Sequence, residues 1–151
     1  MIAKATAIQH GQAMTNYATK NNRADIVKTN HLSEGLPPMG MWDEMVLHQS
    51  MLKQRYAKKP IELTSIRFEI SPSEEEARNW SMEDWHRCLE EFIREIDAIS
   101  RVDHIGKRKG KTATSVRPTN IANSQYFAAI HRDSKSGIPH LHLVVNRIDM
   151  D

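Results

Sequence analysis

Residues 130–149, IHRDSKSGIPHLHLVVNRID, decide how this chain is read. In an extended strand successive side chains point to opposite faces. Over 139–148 that alternation sets His140, His142, Val144 and Asn146 on one face and Leu141, Leu143 and Val145 on the other. Such a strand presents polar groups on one side and packs on the other. Just upstream, 125–131 (QYFAAIH) predicts a second strand ending in His131, and the intervening 132–138 contains Gly137 and reads as a turn. Paired as a hairpin, the two strands bring His131 opposite the start of the second, beside His140 and His142.

Working outward, 63–70 (LTSIRFEI) alternates too, with Ile66, Phe68 and Ile70 facing one way and Arg67 and Glu69 the other. Residues 81–100 predict an amphipathic helix. Ser81 and Asp84 stand at capping-box spacing, and Trp85, Leu89, Phe92, Ile96 and Ile99 recur at steps of three and four. A second helix is expected over 41–57, after a loop punctuated by Gly35, Pro37, Pro38 and Gly40. The opening 1–9 suits a strand, 12–28 a helix, and 106–120 (GKRKGKTATSVRPTN) a polar loop. Together these elements predict an α+β fold of one domain, residues 1–151, with helices packed on one face of an antiparallel sheet.

Composition narrows the class. The chain has 151 residues, 39% hydrophobic and 26% charged, with a net charge of +2, which is ordinary for a globular domain. It contains no apolar run of membrane-spanning length and no apolar stretch at its start. The single cysteine, Cys88, excludes an intrachain disulfide and fits a reducing, cytoplasmic setting. Charge is unevenly spread: residues 74–103 carry a net −6, and 104–124 a net +5 with no acidic residue. Lys107, Arg108, Lys109, Lys111 and Arg117 are therefore candidate contacts to a nucleic-acid backbone. A solvated loop beside a solvated helix face explains the same pattern without a ligand.

Three neutral imidazoles converging on one point make a divalent-metal site with open positions, the pattern of a catalytic metal. Magnesium or manganese is the expected ion physiologically, with nickel, cobalt or zinc as alternatives. Asp133, two residues after His131, is placed to accept the outer N–H of a ligand and fix its tautomer. Asn146 shares the histidine face and could orient water, phosphate or a ligand. A lone His-x-His on a strand is more often incidental, and the third histidine is what raises the reading. His10, His31, His48, His86 and His104 fall in no such pattern. The nucleophile position of a histidine-triad hydrolase is occupied by Val144, and a cupin site would need ligands beyond Asp151. Neither fits.

Residues 130–149 resemble the third motif of the HUH-superfamily relaxases, the mobilisation nucleases of plasmids and conjugative transposons. The opening MIAKATAIQHGQAMTNYATKNNRADIV is similar to their first motif, and TSIRFEISPS with the helix after it to their middle strand and helix. The resemblance covers roughly 1–28, 63–100 and 125–149. It implies a five-stranded antiparallel sheet with the metal at its centre, held by His131, His140 and His142. It makes Tyr17 the nucleophile, with His10 in reserve; Glu69 is a candidate base from its place on the polar face of its own strand, apart from the resemblance. The implied partners are single-stranded DNA at a transfer origin, accessory mobilisation proteins and a type IV secretion coupling protein, in the cytoplasm of a bacterium. Relaxase domains commonly continue past the His-x-His strand, so a C-terminally truncated catalytic domain is expected. Two other functions remain open on the residues alone: a non-cleaving DNA-binding module, and a metal-dependent hydrolase of small phosphoesters. Tyr56 and Tyr126 are competing tyrosines that read as core, and Trp42, Trp80 and Trp85 are candidate base-stacking residues that more often belong to a core.

Overall fold

The computed structural model describes residues 2–8, 24–56, 65–99, 119–132 and 138–150. Five strands, β1 (Ile2–Ile8), β2 (Ala24–Asn30), β3 (Ser65–Ser71), β4 (Ser124–His131) and β5 (His140–Asp149), form one sheet in the order β1-β3-β5-β4-β2. Every neighbouring pair is antiparallel. The helices are α1 (Pro38–Tyr56), the single turn α2 (Glu74–Ala77) and α3 (Met82–Asp97), with a short 3-10 turn at Ile121–Asn123.

The hairpin of β4 and β5 lies at the centre of the sheet. Its register pairs His131 with His140, Ala129 with His142 and Phe127 with Val144. β4 is buried along its whole length. Its apolar run YFAAI therefore reads as a strand covered on both faces.

β2 departs from expectation. Residues 24–28 belong to a strand, and 12–23 of the expected helix lie outside the described residues. Ile26, Val27 and Thr29 are stiff at χ1 and favour extended backbone, and β4 would otherwise leave a row of unpaired backbone groups at its edge. A register shift between Ile26 and Lys28 marks a bulge at Val27.

α3 forms as its sequence predicts. Ser81 caps it, accepting from the Asp84 N–H while the Asp84 carboxylate accepts from the Ser81 N–H. α2 was not expected, yet it carries the same device in Ser73 and Glu76. α1 starts at Pro38, three residues earlier than predicted; proline suits a first helical position, where no N–H is needed, and the first intrahelical bond runs from the Met41 N–H to the Pro37 carbonyl.

The expectation of helices on one face is corrected. Trp85, Leu89 and Ile93 of α3 pack on Phe68, Ile70, Leu141 and Leu143. Met41, Trp42 and Met45 of α1 pack on Ile8, Phe127, Ala129 and Val144. These are opposite faces by the alternation of β4 and β5, so helices cover both sides of the sheet. The reason lies in Phe127, Ala129 and Val144, apolar residues on the histidine face that need a cover of their own. Among the described residues, no helix is long and apolar enough to cross a membrane.

Candidate functional site: a histidine cluster on the α1 face

The histidine face carries an apolar half beneath α1 and a polar half beyond it. His131 and His140 are direct cross-strand partners, and His142 lies between Ala129 on β4 and Glu69 on β3. Ring centroids are 4.0 Å apart for His131 and His142, 4.9 Å for His140 and His142, and 6.2 Å for His131 and His140. His131 is 4% exposed and His142 8%, while His140 is half-buried. The expected grouping of the three is therefore present.

Their orientation is not yet that of a metal centre. An ion held by an imidazole lone pair lies in the plane of that ring. His131 and His142 are stacked with planes 12° apart. Two nearly parallel, offset planes share no point close to both rings. Among the described residues, no group of three or more His, Cys, Asp or Glu stands in metal-ligating geometry. The donor set, the strand positions and the spacing of the rings fit a divalent cation; the ring torsions must turn for all three to reach one.

One ring is already set. The Nδ1 of His140 lies 3.2 Å from the carbonyl oxygen of Ile138. A carbonyl only accepts, so Nδ1 is the donor in this contact, and in the neutral ring that leaves the lone pair on Nε2. That is the tautomer a metal ligand needs, fixed by a backbone partner.

Glu69 and Arg67 complete the polar half. Both project from β3 to the histidine side, Glu69 directly across from His142 and Arg67 across from Val144. The Arg67 guanidinium lies 3.3 Å from Glu69 Oε1. Lys4 on β1 pairs with Glu69 from the other side. Alternation along 63–70 put Arg67 on this face; nothing in the sequence alone marked it as part of the site.

Asn146 shares the face but sits at the covered end, 1% exposed. Its Nδ2 donates to the Met45 carbonyl and to Gln125 Oε1, and its Oδ1 accepts from Gln49 Nε2. The bonds with Met45 and Gln49 tie α1 to the sheet, and the one to Gln125 links β5 to β4. Four residues of extended strand, about 13 Å, separate it from His142.

Tyr17, Asp133, His10 and the five basic residues Lys107, Arg108, Lys109, Lys111 and Arg117 lie outside the described residues. The described flanks still constrain two of these groups. Ala24, seven residues after Tyr17, pairs with His131. The basic segment leaves from the end of α3 and returns at Thr119, where the Asp97 carboxylate accepts from the Thr119 hydroxyl and the Ile121 and Ala122 N–H groups.

Of the competing aromatic residues, Tyr126, Trp42 and Trp85 are core, and the Tyr56 side chain lies outside the described residues. Tyr126 faces α3, away from the histidines, and burial raises its phenol above the ordinary value, the Lys28 ammonium opposing this. Trp42 and Trp85 are fully buried, so they offer no stacking surface; Trp80 is half-buried, edge-on to Trp85 at 4.8 Å. Burial likewise pushes up the Cys88 thiol, marking it as a packing residue.

No family model, curated protein or solved structure matches the chain.

Proposed function

We propose that this chain nicks and rejoins single-stranded DNA by tyrosine transesterification, as its resemblance to HUH relaxases implies. The observation that carries the reading is the gathering of His131, His140 and His142 on one face of adjacent central strands. A five-stranded antiparallel sheet with that hairpin at its centre agrees with it.

In this reading the Tyr17 oxygen attacks the scissile phosphorus, losing its proton, and the 3′-oxygen leaves and takes one up. The strand end remains as a 5′-phosphotyrosine ester, and the reverse attack by the 3′-hydroxyl restores the DNA without a nucleotide cofactor. Chain length is compatible with this role for Tyr17: the seven residues from it to Ala24 span at most about 25 Å, and Ala24 pairs with His131. His131, His140 and His142 would hold a divalent ion, magnesium or manganese physiologically, which supplies positive charge to the phosphate oxygens as negative charge builds. Asp133 would accept the outer N–H of a ligand, and Glu69, on the histidine face, is the candidate to take the phenol proton. The lysines and arginines of 107–117 would hold the DNA backbone without reading sequence. Accessory mobilisation proteins and a secretion coupling protein are the partners such an enzyme would meet in a bacterial cytoplasm.

The stacked rings of His131 and His142 favour a second reading, a module that binds single-stranded DNA without cutting it. Incubating the chain with single-stranded transfer-origin oligonucleotides and manganese separates the two. The nuclease reading expects a protein–DNA adduct that survives denaturation and is lost in Tyr17→Phe. Binding with no adduct would favour the module, and an adduct undiminished in Tyr17→Phe would remove Tyr17 as the nucleophile.

A further inference from the structure

Arg67 stands out among the groups on the histidine face. It projects from the central part of β3, between an apolar neighbour, Val144, and the polar row of Lys4, Glu69 and His142. A guanidinium there has two directions open to it along the strand, towards Asn146 or towards His142. Its contact with Glu69 settles the direction: the charged end lies along β3 on the His142 side. The Nε–H is buried and makes no hydrogen bond among the described residues. A buried guanidinium N–H with no acceptor is costly to maintain. Its ion pair with Glu69 uses Nη2 and leaves Nε with a donor to spare.

A guanidinium presents parallel N–H groups that match the oxygens of a phosphate. Lys4 adds a second positive charge to the same row, and the imidazoles beside it are the proposed reaction centre. We propose that Arg67, held in place by Glu69, receives a non-bridging oxygen of a phosphodiester through its Nε and Nη groups, next to the histidine cluster. This rests on the DNA-cleaving reading for its substrate, but the anion site itself is defined by β3 and stands without it. Glu69 is then a positioning residue that fixes the guanidinium, in addition to any part it takes in proton transfer.

The test uses the full chain and inorganic phosphate as the probe, read by the NMR signals of arginine Nε–H groups and histidine ring C–H groups. Phosphate is expected to shift the Arg67 Nε–H signal and those of His140 and His142 together. In Arg67→Gln these histidine shifts are lost. In Arg67→Lys, which keeps the charge and lacks the fork, phosphate binds about tenfold more weakly. Equal phosphate binding in wild type and Arg67→Gln, or phosphate shifts confined to signals away from β3 and β5, would overturn the assignment. Unfolding midpoints of the variants, measured alongside, separate a lost contact from a lost fold. Phosphate binding that depends on Arg67 in a chain that forms no oligonucleotide adduct would keep the anion site and remove the nuclease reading. An adduct formed equally by wild type and Arg67→Gln would do the reverse.

Discussion

The two faces of this sheet are built to different rules. On the α3 side, Phe68, Ile70, Ala128, Ile130, Leu141, Leu143 and Val145 meet Trp85, Leu89 and Ile93 in one continuous apolar layer. On the α1 side the same strands offer a short apolar patch, Phe127, Ala129 and Val144, and then turn polar. There the buried groups include His131, His142, Gln49, Gln125 and Asn146. One face therefore supplies stability, and the other trades some of it for a set of polar side chains held at fixed positions. Buried polar groups are worth keeping only where their hydrogen bonds are made or their chemistry is used. The amides under α1 satisfy the first condition; the histidines are proposed to satisfy the second.

The largest effect belongs to the apolar face. Trp85 is fully buried at the centre of that layer. Trp85→Ala is expected to cost about 3–5 kcal/mol, a large part of the roughly 5–15 kcal/mol that holds a domain together. Urea unfolding measures it, and a loss below about 1 kcal/mol would break the comparison.

Asn146→Ala is expected to cost less, about 1–3 kcal/mol, because it leaves buried amide and carbonyl groups without that partner. Its effect should be local. Hydrogen exchange in α1 is expected to speed up more than in α3, since the lost bonds run to Met45 and Gln49. Equal acceleration in both helices would mean the two faces are not separately anchored.

The smallest effects lie at the α3 cap. Ser81→Ala is expected to cost about 1 kcal/mol. The Ser81 backbone N–H, and then its hydroxyl, hold the Asp84 carboxyl below the ordinary aspartate range. A folded value below the unfolded one means the contribution is complete above the unfolded value, about pH 4. It is lost as pH falls through the lowered folded value. The penalty of Asp84→Asn, followed by urea unfolding, should accordingly be present at neutral pH and fade in acid. A penalty unchanged by acid would show that the charge plays no part in the cap.

The apolar face was also the more legible one in the sequence. Strict alternation in β3 and β5 and the stripe of α3 declare their buried sides, because periodicity records burial directly. Even there Cys88 and Ile93, both buried, fall outside the expected stripe. The α1 face was harder to read. A helix whose inward residues are Met41, Trp42, Met45 and Gln49 mixes apolar and polar groups, and its partner patch on the sheet is only Ile8, Phe127, Ala129 and Val144, so periodicity gives no side. β2 was misread because ADIVKTN carries no alternation, and its strand state comes from the edge of β4, a tertiary cause. The histidine cluster was legible because a hairpin register converts spacing into proximity. Arg67 was not, because a charged residue on a polar strand face is ordinary until its neighbours are known.

The most direct measurement is a titration of manganese into the metal-free chain, by calorimetry or paramagnetic resonance, against His140→Ala/His142→Ala and His131→Ala variants of matched fold. The account predicts one ion per wild-type chain, with tight binding lost in both variants. Uptake unchanged by removing these imidazoles would contradict it, and with it the claim that the polar side of the sheet is a reaction centre.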